Sequence, residues 1–174
     1  MRVVLLLILA ALAAAPAGAQ TPAAGSREYQ LNILEHQRKT LLAMADSMPE
    51  EFYRDKATPE QRDFAQQIHH AAQAVVYLMS LTTDAGKPTL PDTAKALNSR
   101  AGLREYVNGA FDHAAAELKK QTPATRNETV KLFGQSMPRW QVWDEIHTHT
   151  VWTAGQVVAN FRKHGMAPPA FSFF

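Results

Sequence analysis

The residues best suited to chemistry in this chain are histidines gathered in two places. His69 and His70 are adjacent, and His147 and His149 stand two apart in the stretch from Trp140 to Pro169. Neutral imidazole suits zinc, nickel, copper or iron. The chain contains no cysteine, so thiolate ligands and a cysteine nucleophile are excluded, leaving His, Asp and Glu. Helical positions two apart diverge by about 200°, so His147 and His149 cannot share one ion. A metal centre would have to join one of them to a histidine on a facing helix, which is how helical bundles build such sites. The residues alone leave an alternative open, with His147 hydrogen-bonded in the core and His149 facing a polar groove or solvent. His36, beside Glu35 and Arg38, reads as a solvated surface residue. Asp112 and His113 are neighbours and diverge by about 100°, so they read as surface rather than as a dyad.

Four long helices would position these groups. Ser26 is an N-cap with Glu28 in the first turn, and the first helix runs to about Ser47 before Pro49. Its apolar positions are Leu31, Leu34, Leu41, Leu42, Met44 and Ala45. Phe52 and Tyr53 lie in a connection and are expected to tuck against the bundle end. Thr58-Pro59-Glu60-Gln61 reads as the start of a second helix, with Thr58 as cap and Gln61 closing a capping box. That helix reaches about Leu81, with Phe64, Ile68, Ala71, Val75 and Leu78 or Met79 as its core stripe. His70 falls about 120° from the centre of the stripe, on the side of Ala74 and Tyr77, and His69 falls on the other flank.

Thr82 to Asn98 is a long connection, with a short helical turn expected at Asp92–Leu97. Ser99 caps a third long helix that extends to about Gln121, burying Leu103, Tyr106, Val107, Ala110, Phe111, Ala114 and Leu118. Asn108-Gly109 breaks propensity within it, which suggests close packing against a neighbour. Thr122 to Pro138 is irregular; Thr129–Phe133 reads as briefly extended and ends at Gly134, but no strand is convincing. In the fourth helix, Trp143, Ile146, His147, Thr150, Ala154, Val157, Val158 and Phe161 form one broad stripe, and His149, Thr153, Gln156 and Asn160 form a polar face. It ends at His164-Gly165, ahead of Pro168-Pro169. The apolar tail Ala170–Phe174 reads as a segment docked on the bundle. The expected fold is all-α, an antiparallel or mixed four-helix bundle whose long connections permit a crossover topology.

Residues 1–19 read as a secretory signal peptide: one arginine, an apolar run, then Pro16 and Ala17-Gly18-Ala19. The run is short for a membrane span. The expectation is an exported protein, secreted or periplasmic and free of the membrane after cleavage, with a flexible tail at 20–25 and one domain at 26–174. About 155 residues remain after cleavage, enough for one core. Lacking a disulfide, the fold must draw its stability from packing. The formal net charge is +2 and the basic residues are scattered, which argues against nucleic acid as a partner. No C-x-x-C-H occurs, and neither haem nor a nucleotide is expected as cofactor. A homodimer through a bundle face is compatible with the pattern.

Several segments together resemble the DinB-like family of four-helix metal-binding proteins, which includes thiol-dependent transferases. Met48-Pro49-Glu50-Glu51-Phe52-Tyr53 with Thr58–Phe64 looks like that family's entry to its second helix. Ile68-His69-His70-Ala71 looks like the place of its first histidine ligand. His149–Gln156, with Phe161–Gly165 and Pro168-Pro169, looks like its fourth helix and terminal signature. The resemblance spans nearly all of the chain after residue 19. It implies a triad, with one histidine from the second helix and two at H-x-x-x-H on the fourth. By position these fall on His70, with His69 as the alternative register, on His149, and on Thr153, where the family has histidine; His147 is the alternative in a shifted register. Threonine is a poor ligand, so the resemblance implies weak binding of a zinc- or nickel-type divalent ion. It also implies an open coordination position at which a thiol or water is deprotonated to attack a small electrophile, with Thr153 and Gln156 lining the open side. Low-molecular-weight thiols are mainly cytoplasmic, so hydrolysis or plain ligand binding suits an exported member equally well. Two functions follow as expectations: a metal-dependent transferase or hydrolase acting on a small molecule, or a metal-free bundle that serves in binding.

Overall fold

The computed structural model describes residues 25–84 and 88–170. The expected signal peptide, most of the 20–25 tail and the last four residues lie outside the described residues. Four long helices dominate: α1 (Arg27–Ser47), α2 (Phe64–Ser80), α4 (Arg100–Lys120) and α6 (Arg139–Lys163). Two short helices, α3 (Thr93–Asn98) and α5 (Pro123–Asn127), sit in the connections, together with a hairpin of β1 (Thr129–Leu132) and β2 (Gln135–Pro138).

α1 packs against α4 and α6, and α2 packs against the same two helices, so α1 and α2 occupy opposite corners. Cross-helix contacts fix the directions. Gln30 meets Trp140 and Asp144 while Gln37 meets His147, so α1 and α6 run parallel. Arg38 pairs with Asp112, and Arg104 with Asp46, so α1 and α4 run antiparallel. Gln67 meets Thr153 while Asp55, ahead of α2, meets Asn160, so α2 opposes α6. The result is a bundle in which α2 and α4 run the same way, and the 81–99 connection crosses its full length, as the expected crossover topology requires.

The centre of the core is apolar, and buried polar side chains such as Gln30, Gln37, Gln67 and Asn160 lie in the seams around it. Leu41, Phe64, Ile68, Val75, Leu103, Val107, Leu118, Val157 and Phe161 are fully buried. Each stripe read from the sequence for α2 and α4 is buried here. Phe64 and Phe161 meet edge to face with ring centres 5.8 Å apart, a geometry that favours aromatic pairs. Tyr53 is buried and donates to the Ala45 carbonyl, and Phe52 stacks on His164. The two aromatics of that connection thus close the bundle end as expected.

Three local expectations need correction. The second helix begins at Phe64 rather than at Thr58. Its cap is Asp63, whose carboxylate accepts from the Gln66 N–H while the Gln66 side chain accepts from the Asp63 N–H. Residues 58–62 form turns instead, because Asp63 is a stronger cap than Thr58 and its carboxylate is also paired with Arg54. The segment from 129 to 138 is a true hairpin, paired from Thr129↔Pro138 to Leu132↔Gln135. Its two-residue turn places Phe133 and Gly134 at φ 47° and 83°, as a type I′ turn demands. A phenylalanine in that position masks the usual Asn-Gly sequence mark. Finally, α5 has a capping box between Thr122 and Thr125 with Pro123 in its first turn, a start mark that a five-residue helix does not follow with any periodicity.

Gly102 explains how α3 reaches α4. A Cβ there would stand 2.3 Å from the Lys95 carbonyl oxygen, so only glycine allows this approach. Gly109, the propensity break in α4, similarly lies under Pro91 of the crossover connection. Among the described residues, no helix is long and apolar enough to cross a membrane.

Candidate functional site

α2 and α6 meet along a seam that changes character along its length. At the Phe64 end it is apolar. One turn further along α2, Gln67 is buried and its amide donates across the seam to the Thr153 carbonyl at 3.4 Å and to the Gln156 side chain at 3.2 Å. One turn further still, His70 and His149 face one another, with ring centres 5.3 Å apart and planes inclined by 70°. The antiparallel register produces this meeting: three residues forward on α2 correspond to about one turn back on α6.

The other histidines point elsewhere. His69 is buried toward α3 and α4, its ring 4.1 Å from the Tyr106 ring and its Nε2 3.5 Å from the Thr93 hydroxyl. His147 faces α1, where its Nδ1 lies 2.7 Å from the Gln37 amide nitrogen. Neither joins the His70–His149 pair. Thr153 is only 2 % exposed, sealed within the seam one turn from His149. Asn160, placed with the polar face in the sequence, is likewise buried, and its amide donates to the Asp55 carbonyl. This face is a packed polar seam rather than a solvated stripe. Asp112 is exposed and pairs with Arg38, so Asp112 and His113 form no dyad with one another.

The electrostatics favour neutral rings. Burial pushes the His70 imidazole below its ordinary value, aided by the positive charge of Arg62 and then by His149 and His69. Burial likewise lowers His149, again with Arg62 beside it. Arg62, Gln66, His69, His70, Gln73 and Leu97 line an open groove of about 270 Å³ between α2 and α3, which His70 borders and whose lining does not include His149. Two contributors were not legible as site residues. Gln67 could have been found, because it lies one helical turn from His70; Arg62, in a turn before the helix, carried no periodic mark.

His149 Nδ1 is buried and, among the described residues, has no hydrogen-bond partner. A buried ring nitrogen without a partner is costly and calls for an explanation. Two imidazoles on one tetrahedral zinc ion, bonded at roughly 2.0–2.1 Å, hold their ring centres about 5 Å apart. The observed spacing of 5.3 Å is compatible with two imidazoles on one ion and equally with ordinary edge-to-face packing of two rings. One turn from His149 on α6 the seam holds the buried Thr153 rather than an imidazole. Among the described residues, no group of three or more His, Asp or Glu is arranged to hold an ion.

Comparison with solved structures identifies the fold. A crystal structure of a DinB-like protein from Bacillus cereus matches with a TM-score of 0.62 and 20 % sequence identity, over 83 % of this chain and 97 % of that one. The chain has the DinB-like four-helix fold. No family model matches the sequence, and no curated protein matches it.

Proposed function

We propose that this protein binds a small molecule at the α2–α6 seam, with His70 and His149 as the donors for a zinc- or nickel-type divalent ion. The observation that carries this reading is the facing pair of imidazoles, one of them with a buried and unpartnered ring nitrogen. Such an ion supplies acidification of a coordinated water or thiol, the chemistry of a hydrolase or transferase. The residues of the chain do the rest. Burial keeps both rings neutral and able to donate lone pairs. Gln67 holds Gln156 in place beside the open side. Arg62 places a positive charge next to both rings, which favours an anionic or electron-rich ligand in the groove. Residues 1–19 support export, and an exported setting favours water over a thiol as the nucleophile.

A second reading, a metal-free binding bundle, is favoured by the buried Thr153 and by the same Arg62, whose charge opposes a cation. Elemental analysis and zinc or nickel titration of residues 20–174, purified without a His-tag, separate the two. The first reading expects about one ion per chain at micromolar concentration, lost in His70→Ala and in His149→Ala. No ion at that concentration leaves the second. Mass spectrometry of the protein recovered from culture medium or periplasm tests export: an N-terminus at Gln20 is expected, and retention of residues 1–19 in the cell would overturn it.

A further inference from the structure

A second cavity, mostly apolar in its lining, lies at the other end of α6, away from the histidine pair. Trp140 lies nine residues before His149, about 13 Å away along the helix axis. It forms one wall of a cavity of about 560 Å³, also lined by Gly25, Arg27, Gln121, Pro123 and Arg126. The start of α1, the end of α4 and the short helix α5 converge there.

Arg126 is 7 % exposed, an unusual position for a charged side chain. One terminal nitrogen, Nη2, donates to the Gln30 side chain at 2.8 Å and to the Gly25 carbonyl. The other, Nη1, is buried and has no acceptor among the described residues. Gln121, also 7 % exposed, uses its side-chain oxygen to accept from the Trp143 indole, and its Nε2 is likewise buried without an acceptor. Two buried donors five positions apart, at the end of α4 and in α5, thus lack acceptors among the described residues beside one cavity, where each lost partner has a real cost. Arg27 adds a second positive charge, its guanidinium held by the Lys119 and Gln121 carbonyls at the end of α4. Asp144, whose charge acts on Arg126, accepts from the Gln30 amide, and Glu28 lies exposed in the first turn of α1. The first-turn N–H groups of α1 add a positive helix end. Trp140 and Pro123 make the remaining wall flat and apolar.

We infer that this cavity is a binding site for a small organic carboxylate with a flat apolar body. Arg126 Nη1 and Gln121 Nε2 are the donors left for the oxygens of a carboxylate; both atoms are shielded from solvent, so their side chains turn toward the ligand as it binds. The apolar body lies against Trp140 and Pro123. Phosphate or sulfate would satisfy the charge and leave the apolar wall unused.

Benzoate is the probe. Titrated into the purified protein, it should quench tryptophan fluorescence saturably and raise the melting temperature, with an affinity on the order of millimolar. Arg126→Gln should weaken binding at least about tenfold. Because Arg126 also ties Gly25 to Gln30, that variant could fail to fold. Pro123→Asp is the second variant: the position is exposed and opens a helix, where aspartate is tolerated, and its carboxylate would compete for the guanidinium. It should abolish the benzoate response while keeping the helical circular dichroism of the parent. No saturable response in the parent overturns the inference. So does unchanged benzoate binding in the folded variants, or an equal response to sodium sulfate at matched ionic strength.

Discussion

α6 makes two polar seams, one with α1 that is more closed by hydrogen bonds and one with α2 that is more open, and each leaves a buried atom unpartnered among the described residues, Gln37 Oε1 on the first and His149 Nδ1 on the second. Along α1, Gln30 donates to the Trp140 carbonyl at 2.8 Å and to Asp144 at 3.0 Å, and Gln37 lies 2.7 Å from His147 Nδ1. Each side chain reaches both backbone and side chain of the partner helix, which locks the register. Along α2, Gln67 is the one side chain among the described residues that reaches across by hydrogen bonds, and beyond it two imidazoles face one another with a ring nitrogen unpartnered among those residues. The same helix therefore carries two histidines in different roles only two positions apart: His147 bonds to Gln37 of the facing helix, whereas His149 meets the His70 ring and has no hydrogen-bond partner at Nδ1 among the described residues. The lesson is that residue type does not separate the two roles. What separates them is whether the facing helix supplies a partner.

The comparison can be broken at several points. The α2–α6 seam is anchored by apolar contact, so Phe161→Ala or Phe64→Ala should destabilise by about 3–5 kcal/mol. A denaturation midpoint that barely moves would show that these rings are not the anchor. On the closed seam, Gln37→Ala should cost about 1–3 kcal/mol by leaving His147 Nδ1 without its amide. On the open seam, Thr153→His should raise zinc affinity at least about tenfold, because it places imidazoles one turn apart on a single helix face. The same change should lower the stability of the metal-free protein, since the larger side chain enters a fully packed position. Unchanged zinc affinity in calorimetry would show that the seam cannot accept a third donor.

His70→Ala should be nearly neutral for stability, within about 0.5 kcal/mol, as expected for a partly exposed residue with no structural bond. A large loss would mean that the open seam is as structural as the closed one. The pH response follows from the four histidines of the two seams and the α2–α4 contact. Burial lowers His69, His70, His147 and His149 in the folded protein. A base with a lowered folded value binds fewer protons than in the unfolded chain. Stability is therefore at its full level above about pH 6.5 and falls as pH drops below that value toward the lowered folded ones. Urea midpoints measured downward from neutral pH should show this decline, and a flat profile would contradict burial of these rings.

Much of the architecture was legible because its causes are local. Ser26 and Ser99 cap their helices as read, with side chains accepting from Tyr29 and Gly102 N–H. Apolar periodicity identified the buried faces of α2 and α4 because a helix against a core must repeat at its own pitch. Thr58-Pro59 misled because two capping sets stand five residues apart, and only tertiary contacts choose between them. Asp63 prevails through its capping box, its pairing with Arg54 and its burial against the bundle. The hairpin was half visible, as extended residues ending at Gly134, but its return strand Gln135–Pro138 has no alternation to mark it.

The sequence by itself determined the helical class, the four long segments, most of the core faces, and the presence of histidines on the second and last of those segments. Each of these depends on periodicity and capping within a few turns of chain. Only the tertiary structure decided which histidines meet. His69 and His70 differ by about 100° around one helix, as small a change in sequence as there can be, yet one ring packs on Tyr106 and the other faces His149. That choice is set by the direction in which α2 and α6 run past one another and by the offset that Gln67 and the Phe64–Phe161 contact impose. Such a long-range register depends on side chains nearly ninety positions apart, and no local pattern records it.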